Sequence, residues 1–317
     1  MKKATRKVIK RRGKPVRLSR AFLETKEYLE HAFQAVMEIV DGLRKTEDVK
    51  AVVVFGSAVR PEDFVIGLSD VDVLVLTGRE PRVSHGRSFF RESEVDLTIM
   101  SLDRLRRLFE LGSPLAFILH GEGRILEDDR SLASLVSKPV ATGYTLKVLR
   151  DSIFTAAGLA LEAYFSGEYG RSVSHAYHAV RHLIRYKALL RGAEAGGFPL
   201  SDEDAKEESS GALRDVFTKL VEMRKMPVDK HDCRKILDEA LSITGLELRL
   251  KHASLPFIES SIRGSIALAI VKEKGESMIV MVEAFTQNGL KRFEIGEEYV
   301  REIESLFEPD RLLDPSR

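Results

Sequence analysis

The chain has 317 residues, 44% hydrophobic and 31% charged, enough for two or three globular domains. A formal net charge of +1 excludes binding of polyanions through overall charge, and no run of about 18 apolar residues offers a membrane span. The single cysteine, Cys233, excludes an intramolecular disulfide and a cysteine-cluster zinc site, and it fits a reducing cytoplasm.

The charge is uneven. Residues 1–20 hold ten Lys and Arg and no acid, and no apolar core follows, so the stretch does not read as a secretory signal. Two readings stand side by side: an arm that binds RNA phosphates through counterion release, or a solubilising terminus that docks on the protein's own acids. From 19 to 45, Phe22, Leu29, Phe33, Val36, Val40 and Leu43 recur at helical spacing and predict one amphipathic helix.

An apolar run, 51–55, then stops at Gly56-Ser57, and a second, 73–76, opens after Asp70-Val71-Asp72. Both read as buried strands. Alternation puts Asp70 and Asp72 on one face, where two carboxylates repel unless a cation lies between them. A basic loop is expected over 77–92, with Arg79, Arg82, His85, Arg87 and Arg91, either steering an anionic substrate or simply solvated. A strand at 94–100 carries Asp96. Three acids on neighbouring strands beside a Gly-Ser turn suggest a site for divalent metal and phosphate. Helices at 101–110 and 114–119 and an edge strand at 125–126 complete this part.

Past a linker at 137–143 the pattern turns helical, with helices at 146–164, 172–190, 213–224 and 231–244 and a charged, polar loop at 201–210. His175, His178 and His182 share a helix face, and packing or cleft contact suits them better than metal. Arg181, Arg185 and Arg191 read as phosphate contacts or a solvated basic face. The tail predicts strands at 262–271, 278–285 and 290–295, an Asn288-Gly289 hairpin and a helix at 297–307. Such a module suits substrate binding, a homo-oligomer edge or a cover for the cleft.

Gly-Ser, a dozen residues, Asp-x-Asp and a later third Asp together resemble the polymerase-beta-type nucleotidyltransferases, most nearly the minimal prokaryotic branch. The resemblance covers roughly 30–135 and implies that Gly56 and Ser57 bind a nucleoside triphosphate. Asp70, Asp72 and Asp96 would hold two Mg²⁺ ions and carry catalysis. Arg60 fits the arginine that often follows the turn, although Pro61 stands where that family commonly has Gly. Residues 145–248 resemble the HEPN helical domain, with Arg224 and His231 at the spacing of its ribonuclease pair and Lys225 and Pro227 departing from it.

The expected fold is therefore α+β. A basic arm (1–20) precedes a nucleotidyltransferase-type mixed sheet with helices (21–140). A four-helix HEPN-like bundle (141–250) and a small C-terminal α+β module (251–317) follow. The expected activity is NMP transfer from an NTP, ATP first among them, to a hydroxyl on RNA, a protein or a small molecule. The alternatives are a regulatory, antitoxin-like module and an RNA-binding or RNA-cleaving protein.

Overall fold

The structure, a computed structural model, describes residues 20–132, 138–192 and 197–306. The basic arm before Arg20, residue 137 of the linker and the chain beyond 306 lie outside the described residues.

Helix α1 (Arg20–Leu43) buries Tyr28, Leu29, Ala32, Phe33, Val36 and Val40, the residues that its three-and-four spacing places on one side. They pack on one face of a five-stranded sheet. Its strands are β1 (Val49–Phe55), β2 (Val71–Thr77), β3 (His85–Phe90), β4 (Ser93–Ser101) and β5 (Arg124–Asp128), in the order β3-β4-β2-β1-β5. Only β2 and β4 run parallel. On the α1 side lie Val52, Val54, Val73, Val75, Val95, Leu97 and Ile99. On the opposite side, Val53, Leu74, Leu76 and Met100 pack under α2 (Leu102–Glu110) and α3 (Pro114–Glu122) through Leu105, Phe109 and Ala116. Ser101 caps α2, its hydroxyl accepting from the Arg104 amide at 3.3 Å.

The helical part holds α4 (Gly143–Phe165), α5 (Tyr169–Leu190), α6 (Asp202–Glu208), α7 (Gly211–Met223) and α8 (Lys230–Leu248). Then follow β6 (Lys251–His252), α9 (Leu255–Ser261), β7 (Gly264–Lys274), β8 (Ser277–Thr286), β9 (Gly289–Ile295) and β10 (Val300–Ile303). Small residues on α4 let the second sheet lie directly on it: a Cβ at Gly158 would stand 3.0 Å from the Ala269 carbonyl oxygen. One apolar core runs without a break from α4, α5, α7 and α8 into β7 and β8. Among the described residues no helix is long and apolar enough to cross a membrane.

Three expected elements differ. The basic loop 77–92 contains strand β3, which alternates in exposure but carries no apolar alternation, because only one of its edges is paired. The polar loop 201–210 holds α6, opened by a Ser201–Asp204 capping box and anchored by buried Asp202 and Ala205. The terminal helix expected at 297–307 is replaced by β10, which pairs with β9; Glu294 there takes Lys274, Tyr299 and Arg301 as partners. Cross-strand pairing and this charge cluster outweigh the local helical preference of a Glu-rich segment.

Candidate active site

Strand register assembles the site. Phe55 pairs with Asp72, Asp72 with Asp96, and Asp96 with Arg87, so one row crosses four strands. Directly paired residues share a face. Val71, Val73 and Val95 point to α1, so Asp70, Asp72, Glu94 and Asp96 point to the other side, beyond the cover of α2 and α3. The sequence-predicted carboxylates Asp70, Asp72 and Asp96 thus stand on one face, at the end of the sheet where β1 runs out. Glu94 is a fourth acid on that face. Its place two residues before Asp96 on a strand was the signal for it.

The Gly-Ser turn begins where β1 ends. Gly56 has φ +72°, and a Cβ there would come 2.5 Å from Asp72 Oδ2. Only glycine satisfies both the left-handed backbone and this approach. The turn Gly56–Val59 is a single 3-10 helix, with Ser57 partly exposed.

The acids act on one another. Burial pushes the half-buried Asp72 carboxyl up to about 7, and Asp70 and Asp96 add to the shift while Arg60 opposes it. Burial also raises Asp70, helped by Glu94 and Asp96, while Arg171 and Arg87 pull it down. Among the described residues, no group of three His, Cys, Asp or Glu is gathered closely enough to hold a metal ion. Closing the carboxylates on one ion takes side-chain rotation. The donor set itself is all carboxylate oxygen, and its crowded charge is what a hard divalent cation relieves, so these residues fit Mg²⁺ by chemistry.

Arg60 is engaged otherwise than expected. Its Nε donates to Asp63 Oδ2 at 2.7 Å, and its Nη1 pairs with Glu122 of α3. Asp63 Oδ2 also accepts from the Asp202 amide at 3.1 Å. Asp202 in turn accepts from the Tyr177 hydroxyl at 2.5 Å, which accepts from Arg181 Nη1 at 2.6 Å. Arg60 thereby ties the segment after the Gly-Ser turn to α3 and to the helical part. Arg224 belongs to the same junction: its Nη2 donates to Ser69 Oγ at 3.3 Å and its guanidinium lies 4.0 Å from the Tyr177 ring centre. Arg224 is buried and His231 is exposed at the start of α8, so the expected pair is split between interior and surface. Arg185 is buried and donates to the Pro199 carbonyl, while Arg191 pairs with Glu208 at the surface.

The histidine face of α5 borders this junction. Burial lowers His182 to about 3, with Arg185 and Arg181 adding to the shift, and its Nδ1 has no hydrogen-bond partner among the described residues. His178 is exposed, yet desolvation by the protein around it lowers it well below the usual range, with Arg224 adding. Burial lowers His175 too, with Arg171 adding. A histidine with a depressed folded pKa favours the fold only while neutral. The unfolded chain takes up its proton near pH ~6.5, so stability is full above that value and falls as the pH drops toward the folded pKa. The urea midpoint should therefore fall between about pH 7.5 and pH 5, and His182→Gln should reduce that fall. An undiminished fall in the variant assigns the acid sensitivity elsewhere.

No protein-family model matches the sequence, and no curated protein matches it. Among solved structures, a nucleotidyltransferase-like protein from Exiguobacterium sibiricum 255-15 is similar at 18% identity and a TM-score of 0.29, over 68% of this chain and 76% of that one. So low a TM-score makes that likeness no basis for assigning an activity.

Proposed function

We propose that this chain is a nucleotidyltransferase that moves a nucleoside monophosphate from an NTP to an acceptor hydroxyl and releases pyrophosphate. The observation that carries the reading is the row Phe55–Asp72–Asp96, with Gly56 held against Asp72 where the first strand ends. Carboxylates from two parallel strands stand in one row, and the backbone of the turn approaches Asp72 as closely as a residue without a side chain permits.

Asp70, Asp72 and Asp96 would hold Mg²⁺, which when bound supplies charge neutralisation to the triphosphate and acidity to the acceptor hydroxyl. Backbone N–H groups after Gly56 and the Ser57 hydroxyl would donate to the β and γ phosphates. Asp96, at the outer side of the row, would take the hydroxyl proton. The acceptor oxygen bonds to the α phosphorus, and the bond from that phosphorus to the bridging oxygen of pyrophosphate breaks. Arg60 serves as a positioning residue for the turn. The ribonuclease reading has less support, because Arg224 is buried against Tyr177 and Ser69.

The test is incubation with each α-labelled NTP and Mg²⁺, with and without RNA, followed by separation of RNA, protein and small-molecule label. The expected result is label transferred to an acceptor with release of pyrophosphate. Release of inorganic phosphate alone, or no turnover of any NTP, would sink the proposal.

A further inference from the structure

The first sheet is unevenly covered on its α2 and α3 side. Direct pairing builds the row Leu74–Val53–Ile125 across β2, β1 and β5 on that side. Leu74 is 0% exposed, Val53 4% and Ile125 54%, so the cover runs out along this one row. A cavity of about 290 Å³ opens there. Leu74 and Val53 form its floor, Leu105 and Phe109 of α2 and Leu119 of α3 its walls, and Ile125 stands at its exposed rim.

One charged side chain lines this apolar enclosure, Asp128. Its neighbours in sequence are both matched: Arg44 pairs with Glu127 at 2.5 Å, and Lys50 lies 3.7 Å from Asp129. Asp128 differs because it pairs directly with Ala51, on the cavity side, after a register shift between Ile125 and Glu127 takes up Leu126. Its Oδ1 accepts from the Leu132 amide at 3.2 Å. Among the described residues no cation pairs with it. A partly buried carboxylate against apolar walls is a place that a cation stabilises.

We propose that this cavity binds a small amphiphilic amine, its apolar body against Leu74, Val53 and Phe109 and its ammonium on Asp128. A neutral hydrocarbon leaves the carboxylate without a cation, and an anion meets it with like charge. Apolar walls give water too few partners to hold it. Size sets the scale of the body. An apolar cavity of about 150 Å³ takes one benzene ring, so this one takes a ring with a short arm. The single polar group among apolar walls fixes which end goes in first. Binding here needs neither Mg²⁺ nor NTP, so it stands or falls apart from the transferase reading.

The experiment is a saturation-transfer NMR titration of the full chain with 2-phenylethylamine, and with 2-phenylethanol and 3-phenylpropionate as neutral and anionic counterparts. The amine should bind saturably and about tenfold more tightly than the alcohol, since a hydrogen bond to a charged group outweighs a neutral one. The acid should not compete. Asp128→Asn keeps the oxygen that accepts from the Leu132 amide; it should abolish the preference for the amine and leave the alcohol's affinity unchanged. Ile125→Trp, at the exposed rim, should narrow the mouth and weaken both ligands about tenfold. Thermal melts confirm that both variants fold. The proposal is overturned by a wild type that does not bind the amine saturably or binds all three compounds alike. A preference for the amine that survives Asp128→Asn, or binding undiminished in Ile125→Trp, overturns it equally.

Discussion

Asp72→Asn should lower NMP transfer by about 10³-fold or more while leaving the metal-free protein at least as stable as the wild type. The two halves of this result have one cause. Asp72 sits between Asp70 and Asp96 on the same face, and burial already makes its charge unfavourable. An amide of nearly the same shape removes the repulsion, so the fold loses nothing. On the proposed reading the same change takes an oxygen donor from the row, so a triphosphate and its acceptor would lose their shared anchor. A purely structural acid would give the reverse pattern, with stability falling and transfer persisting. Label incorporation at saturating Mg²⁺ and thermal melting in EDTA measure the two halves. Transfer that survives the substitution would remove Asp72 from the mechanism.

Asp63→Ala should cost about 3 kcal/mol of stability, read from urea unfolding. Asp63 is 5% exposed, pairs with Arg60 at 2.7 Å and accepts from the Asp202 amide at 3.1 Å. Its removal leaves the Arg60 guanidinium buried with Glu122 as its remaining carboxylate, and leaves the Asp202 N–H without that acceptor. The cost lies near the low end for a broken buried pair because Glu122 stays. Transfer should fall as well, since the segment that carries Gly56 and Ser57 loses its tie to α3 and α6. Glu62→Ala is the control. Lys225 Nζ donates to the Glu62 backbone carbonyl, which the substitution keeps, so the change should stay within about 0.5 kcal/mol. Equal losses in both variants would show that the segment tolerates no change, and that the Arg60 network has no special part.

Helix α1, the strands that carry Asp72 and Asp96, and the four longer helices after the linker were legible in the sequence, because their apolar spacing is local. So was the shared face of Asp70 and Asp72, since a strand has a period of two whatever it pairs with. β3, α6 and β10 were not. β3 and β10 are largely exposed strands with no apolar signature, held by a neighbour that a linear pattern does not name. α6 carried its signal in Ser201 and Asp204, a capping box hidden among charges.

The sequence by itself determined the chemical inventory: a Gly-Ser turn, acids at strand ends, and an α+β chain with a helical second part. Only the tertiary structure decided which residues meet. It set Asp96 beside Asp72, brought Glu94, Arg87 and Phe89 onto their face, and turned Arg60 to Asp63 and Glu122. The reason is that strand register and buried ion pairs are settled by contacts between segments far apart in the chain. A short-range pattern carries the direction of a side chain but not the identity of what it faces.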